Sequence, residues 1–293
     1  MLSKKTKRNL VAYSFIAPNF IGFSVLTLGP VLYAFYLAFH EWDGNNPMKF
    51  VGFENFVNLA SDHRFWEALK NTIVYTVAAV PVTLVMALSL ALLLNSKLIK
   101  GRSVFRTIAF FPYVASLVAC GAVWNLIFSP GAGMMNNILY SLGVEQLPRW
   151  AADPKWAMFT VVAFSVWKDM GYYMVVYLGG LQGISGELYE AAELDGANAV
   201  QRFRYITWPQ LKPTTFFVLI MLTINAFKVY DRVLMITEGG PGTKTLVLVY
   251  HIYDTAFGRN QFGYASAIAM VLFVLVLIVT LIQFRGEKNY AND

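Results

Sequence analysis

The sequence predicts an all-α, polytopic membrane protein with six transmembrane helices, and three observations predict it. Only 14% of its 293 residues are charged, against roughly 25% in soluble domains, so much of the surface must face something other than water. Six apolar runs recur along the chain, each of about 20 residues or more, the length that crosses the hydrocarbon as a helix. Lys and Arg gather in alternate loops, the asymmetry that orients membrane proteins. The mean hydropathy of +0.51 points the same way.

Taken in order, Lys4, Lys5, Lys7 and Arg8 precede the first run, Leu10–Phe39. Thirty residues without a charge exceed a signal core of about 7–15, and no small-residue cleavage site follows. The run therefore reads as an uncleaved spanning helix, with Pro18 and Pro30 as kink sites. His40–Asn71 is polar and holds two short amphipathic pieces, FENFVNLA and FWEALKNT. These are expected at the interface, with Trp42, Phe65 and Trp66 at headgroup depth. The second run, Thr72–Leu94, contains Pro81, and a basic loop with Lys97, Lys100, Arg102 and Arg106 follows. The third run, Phe105–Phe128, is expected as one span. Gly131, Gly133, Pro148 and Pro154 mark Ser129–Trp156 as a turn-rich loop. Ala157–Leu181 is the fourth run. A charged loop at about 182–213 comes next, and Pro209 and Pro213 should end its helical pattern before the fifth run, Thr214–Ile236. The tight turn TEGGPG lies in Thr237–Gln261, and Phe262–Phe284 is the sixth run. No soluble second domain or short repeat interrupts the series, so 1–293 reads as one membrane domain.

Six spans put both termini on one side. That side holds thirteen basic residues: Lys4, Lys5, Lys7, Arg8, Lys97, Lys100, Arg102, Arg106, Arg202, Arg204, Lys212, Arg285 and Lys288. The other side holds seven, in longer loops: Lys49, Arg64, Lys70, Arg149, Lys155, Lys244 and Arg259. Both termini and the 182–213 loop are therefore expected in the cytoplasm. The net charge of +6 then records topology, not nucleic-acid binding.

Lys168 and Asp169 fall in the fourth run, and Lys228, Asp231 and Arg232 in the fifth. A charge at the bilayer centre costs at least about 2.5–3.5 kcal/mol, so such groups face protein or water. The two helices run in opposite directions, which brings Asp169 and Lys228 to similar depth as an expected ion pair. Asn225, Lys228 and Arg232, spaced i, i+3, i+7, are expected to share one helical face. Two readings remain open: an interhelical pair that fixes packing, or a polar, aromatic-walled solute pathway. In the second, Tyr172, Tyr173, Tyr177 and Tyr230 offer faces for sugar rings, while Lys168, Asp169, Asn225, Lys228 and Asp231 bond to hydroxyls.

No catalytic, cofactor or metal residues are expected. Cys120 is single and lies in an apolar run, where it packs. The three histidines, His40, His63 and His251, are far apart. GGPGTKT lacks the Gly before Lys244 that a phosphate-binding loop needs, and it lies on the outer side. No nucleophile, base and orienting group come together, so a membrane-embedded enzyme has no support.

The most specific signal lies in the inner loop. Glu190, Ala191, Ala192, Gly196, Ile206 and Pro209 fit the pattern E-A-A-x3-G-x9-I-x-L-P, with Trp208 where the pattern has Leu. Gly196 sits between two helical stretches and permits a sharp turn. This pattern resembles the cytoplasmic coupling loop of permease subunits in bacterial binding-protein-dependent ABC importers. FFPYVAS, FKVYDRVLMITEGGPGTKT and FGYASAIAMVLF are similar to the maltose and glycerol-3-phosphate, or sugar, group of that family. The resemblance covers almost the whole chain.

The resemblance implies a type I ABC importer permease fold in a bacterial cytoplasmic membrane. It implies that Glu190, Ala191, Ala192, Asp195 and Gly196 dock into a separate cytoplasmic ABC ATPase dimer, which binds the ATP. The chain would supply half a pathway beside a second homologous permease, receiving sugar from an extracytoplasmic binding protein. No cofactor on this chain and no nucleic-acid partner are implied, and lipid surrounds the spans. The alternative is a secondary transporter or channel independent of ATP.

Overall fold

A computed structural model describes residues 4–96, 99–131 and 133–290; Lys97 of the basic inner loop lies outside them. Among the described residues the regular structure is helical apart from one two-stranded hairpin. Its contacts group into two compact units, residues up to Asp62 with Ile252–Val274, and His63–His251 with the remainder.

In the first unit, α1 (Lys4–Phe23) and α2 (Gly29–Leu37) are joined by a π-helical turn at Ser24–Leu28. Pro30 opens α2 without needing a hydrogen-bond partner for its nitrogen. Phe15 and Leu26 are 82% and 76% exposed, as befits side chains meant for lipid. After α2, β1 (His40–Glu41) and β2 (Lys49–Phe50) pair antiparallel, His40 opposite Phe50. Helix α3 (Glu54–Ser61) follows, matching the first amphipathic piece. Asn55 on α3 is buried and donates to the carbonyls of Ala38 and His40 (2.9 and 3.0 Å), satisfying the end of α2 and the start of the hairpin.

The second unit holds the larger core. Helix α4 (His63–Asn95) absorbs FWEALKNT, so the second amphipathic piece is the first two turns of a span and not a separate interfacial helix. Phe65 is buried while Trp66 is half exposed. Ala68, Thr72, Thr76, Ala79, Thr83, Ala87 and Ala91 make a buried stripe of small residues along α4, which lets α8 (Ala157–Gln182) pack closely against it. The buried hydroxyls of Thr72 and Ser165 bond back one turn, to the carbonyls of Ala68 and Val161, so neither is stranded in the apolar layer. Gly171 of α8 lies against the Ala109 backbone of α5 (Arg102–Val114), where any Cβ would collide with the carbonyl.

Three expectations are corrected here. The third run is not one helix: α5 ends at Val114, and α6 (Leu117–Ile127) leaves at 100°. Extended backbone at Ala115 and Ser116 (ψ 149° and 129°) makes the corner. The fifth run is also broken. Helix α11 (Trp208–Phe227) stops, Lys228–Tyr230 leave helical geometry, and α12 (Asp231–Ile236) restarts. Asn225, Lys228 and Arg232 therefore do not share one helical face. Pro209 and Pro213 do not end the helix before the fifth run, since it is continuous over Ala199–Phe227. A π-helical turn at Phe203–Thr207 widens the backbone just ahead of Pro209 and accommodates its missing N–H, while Pro213 is tolerated inside α11.

The loops at 129–156 and 237–261 carry helices that turn chemistry alone did not reveal, α7 (Met134–Ser141) and α13 (Leu248–Tyr253). Asn136 ties its loop by donating to the carbonyls of Pro130 and Pro148 and accepting from the Trp150 indole at 2.6 Å. The turn after α12 is anchored to α4, where Asn71 donates to the carbonyls of Thr243 and Leu246 (2.7 and 3.0 Å).

Among the described residues, four helices are long and apolar enough to cross a membrane: Val11–Leu37, His63–Asn95, Ala199–Phe227 and Phe262–Gly286. The last belongs to α14 (Phe262–Tyr290). The bent pair α5–α6 makes a fifth. Helix α8, 26 residues, has the length to cross, but Lys168 and Asp169 reduce its apolarity.

Candidate functional site

Two features of the second unit stand out: a polar cavity at the break between α11 and α12, and an exposed helical elbow before α11.

The cavity, about 500 Å³, is lined by Tyr113, Asp169, Tyr173, Asn225 and the break residues Lys228–Arg232. Breaking the helix frees backbone polar groups, a local geometry tolerated at membrane depth where it lines a cavity. Asp169 receives both terminal guanidinium nitrogens of Arg232, at 2.6 and 2.9 Å. This corrects the expected Asp169–Lys228 pair. Because α11 ends at Phe227, Lys228 points into the open, and Arg232, at the start of α12, reaches α8 instead. The pair is largely buried, with the Arg232 and Asp169 side chains 20% and 12% exposed. A fork of two parallel bonds is the strong, directional form of this contact.

Lys168 does not line the cavity. Its ammonium donates to the carbonyls of Pro112 and Ala115 at 2.7 and 3.0 Å. Those oxygens lie at the corner between α5 and α6, where helical bonding stops, so a cation completes the α5 C-terminus. Lys168→Met, which keeps the stem and removes the ammonium, is expected to cost about 1–3 kcal/mol by orphaning these carbonyls. The loss would be read as a lower unfolding midpoint in detergent.

Tyr173 lines the cavity and accepts a long bond from the Asn225 amide, 3.3 Å. Tyr172 stands behind the wall, stacked on Tyr113 with ring centres 4.5 Å apart. Tyr177 is fully buried in the core, so it has no place in an aromatic wall. Tyr113 was missed by the sequence reading; its signal was FFPYVAS itself, whose proline precedes the corner. Tyr230 and Asp231 line the mouth. Counting Asp169, Asp231, Lys228 and Arg232, the lining carries two acids and two bases, so it has no net charge.

The elbow is built by two complementary caps. In α9 (Gly186–Leu194), the Ser185 hydroxyl accepts from Glu187 N–H, a serine N-cap. At its other end Gly196 adopts φ +77°. Its N–H bonds Glu193 O and that of Ala197 bonds Ala192 O, at 3.1 and 2.9 Å. This is a Schellman ending, which requires the left-handed conformation that glycine adopts without strain. Asn198 then caps α10 (Ala199–Arg202) through a reciprocal capping box with Gln201. Arg202 bridges back to Glu193 at 2.7 Å, and the Tyr189 hydroxyl meets Thr207 Oγ1 at 2.8 Å. Glu190, Ala191, Ala192, Asp195 and Gly196 all sit on this elbow. Beside them Leu194 is 90% exposed and Val200 74%. The elbow is thus firmly braced, yet it offers apolar side chains that no described residue covers.

Residues 57–289 match the family described as "Binding-protein-dependent transport system inner membrane component". A probable ABC transporter permease of Bacillus subtilis, YesP, is 38% identical over 98% of this chain and 93% of its own length. The lactose transport system permease LacF of Rhizobium radiobacter is 36% identical over 98% of this chain and 97% of its own. In a bacterial alginate ABC transporter solved with an alginate pentasaccharide-bound periplasmic protein, one chain superposes with a TM-score of 0.84 at 25% identity. The match covers 96% of this chain and 94% of that one.

Proposed function

Because this chain belongs to the family of binding-protein-dependent transport system inner membrane components, we propose that it forms half of an import pathway for a sugar or oligosaccharide. A second, similar permease supplies the other half. A cytoplasmic ATPase dimer binds and hydrolyses the ATP, so this chain carries no cofactor of its own. An extracytoplasmic binding protein delivers the sugar. The chain crosses the bacterial cytoplasmic membrane six times, α8 included, with both termini and the elbow inside.

The observation that carries this reading is the elbow. Two caps, an ion pair and a Schellman turn hold a short helix rigid while Leu194 stands 90% exposed beside Gly196. Exposing an apolar side chain on so ordered an element suits a docking piece that enters a groove on a partner. ATP-driven closure of that partner would move the elbow, and the α11–α12 break beside the cavity would move with it. The uncharged balance of the cavity and its tyrosines suit hydroxyl-rich, neutral solutes. The sugar class is further supported by a relative named as a lactose transport system permease.

The test is uptake into proteoliposomes holding the chain with its partner permease, ATPase and binding protein. Labelled sugar should enter only with ATP. Uptake at an equal rate without ATP would instead mean a secondary transporter or channel.

A further inference from the structure

The first unit holds a second cavity, about 570 Å³, that the transport reading does not use. Its walls are the β1–β2 hairpin, α3 and the start of α14, all in segments that the basic-residue bias puts outside. That volume lies within the range of about 300–1,000 Å³ typical of small-molecule sites.

The lining has the chemistry of a polyol site. The indole of Trp42 and the ring of Tyr264 supply flat apolar faces, and Asn46, Asn58, Asn260 and Gln261 supply amides. An amide both donates and accepts, so neighbouring amides match the paired hydroxyls of a sugar ring while an aromatic face covers its C–H side. The carboxylates of Glu41, Asp43 and Glu54 outnumber the one cation, Lys49, which disfavours anionic ligands. The N–H groups of Asn46 and Asn45 hold the Asp43 carboxyl below the usual carboxylate range, so it stays charged at neutral pH.

The walls are fixed before any ligand arrives. The Trp42 carbonyl accepts from Phe262 and Gly263 N–H (3.0 and 3.4 Å), joining the hairpin to α14. The Trp42 ring packs on Phe262 at 5.5 Å. Tyr264 donates its hydroxyl to Asp62 at 2.8 Å. Gly263 lies so close to the His40 carbonyl that any Cβ would collide with it. Side chains already held in place lose little freedom on binding.

We propose that this bowl is a saccharide-binding site on the outer face, taking one or two rings of a neutral sugar chain. Naming sugar as the ligand rests on the transport reading; the site itself does not.

The experiment uses the full chain in lipid nanodiscs and saturation-transfer NMR with maltotriose, lactose and, as an acidic probe, trigalacturonate. Maltotriose or lactose should bind saturably. Trp42→Ala, and separately Asn58→Ala on the exposed face of α3, should each weaken it at least about tenfold, and trigalacturonate should bind at least about tenfold more weakly than the neutral probe. No saturable binding by either neutral probe overturns the proposal, as does equal affinity in both variants or for the acid. If the variants keep sugar affinity but lose the complex with the binding protein, the bowl is a protein-docking surface and the proposal falls. ATP-driven uptake is measured separately. Its absence would sink the transport reading and leave bowl binding standing, whereas uptake without bowl binding sinks only this site.

Discussion

Asp169→Asn is expected to destabilise the protein by about 3–5 kcal/mol, the cost of leaving a buried guanidinium without its counter-charge. Arg232 places two nitrogens on this carboxylate and only a long 3.5 Å contact on the Tyr75 hydroxyl. An amide of the same shape keeps the packing but replaces one acceptor with a donor facing a donor. Combining Asp169→Asn with Arg232→Met should recover most of the loss, because the pair is then replaced by neutral groups of similar volume. Denaturant unfolding in detergent reads all four corners of the cycle. Losses that simply add would mean that the two groups do not act together. Lys228→Ala serves as the control. Its side chain is exposed and touches no acid of α8, so its effect should stay within about 0.5 kcal/mol.

Gly196→Pro is expected to leave membrane insertion intact and to remove most ATP-driven uptake. Proline fixes φ near −65°, whereas this position sits at +77°. The substitution also deletes the N–H that bonds Glu193 O and pushes Asp195 out of the helical region it now occupies. Strain of about 1–3 kcal/mol at such a position would cut the population of the docking conformer roughly 5- to 150-fold. Gly196→Ala should be milder, since open space surrounds the position and only the left-handed backbone is penalised, by about 1–2 kcal/mol. Uptake and ATP hydrolysis are compared in the same proteoliposomes. Unchanged uptake by the proline variant would remove the elbow from the mechanism.

Most of the spanning helices were legible because hydropathy records what each residue prefers to face. The elbow was legible for a different reason: Gly196 is where the chain needs φ above zero, whereas the Asn198–Gln201 capping box, though written in residue types, went unread. Hydropathy does not record whether backbone hydrogen bonding is continuous. Pro112, Ala115 and Ser116 are apolar or small, so the 100° corner they make left the third run looking whole. The second break, at Lys228–Tyr230, carries no Pro or Gly to mark it, and the register lost there is why Arg232, not Lys228, meets Asp169. Lys168 shows the limit most plainly. Its charge marked it as important, but its partners are two backbone oxygens, which composition cannot display. Pro209 and Pro213 misled in the opposite sense, because a π turn absorbs what would otherwise stop a helix.

The unbroken course of the chain from Ala199 to Phe227, 29 residues, makes a single stiff rod of roughly 43 Å. One end is pinned to the elbow by the Asn198 cap, and the other stops where Lys228–Tyr230 give way beside the cavity. Should the elbow dock as proposed, a push applied there would travel along an axle to the break beside the cavity. The wide turn at Phe203–Thr207 is a joint in the shaft where backbone bonding departs from the α pattern. Stiffening or loosening that joint should change how much of each stroke arrives, without altering either the docking piece or the cavity lining.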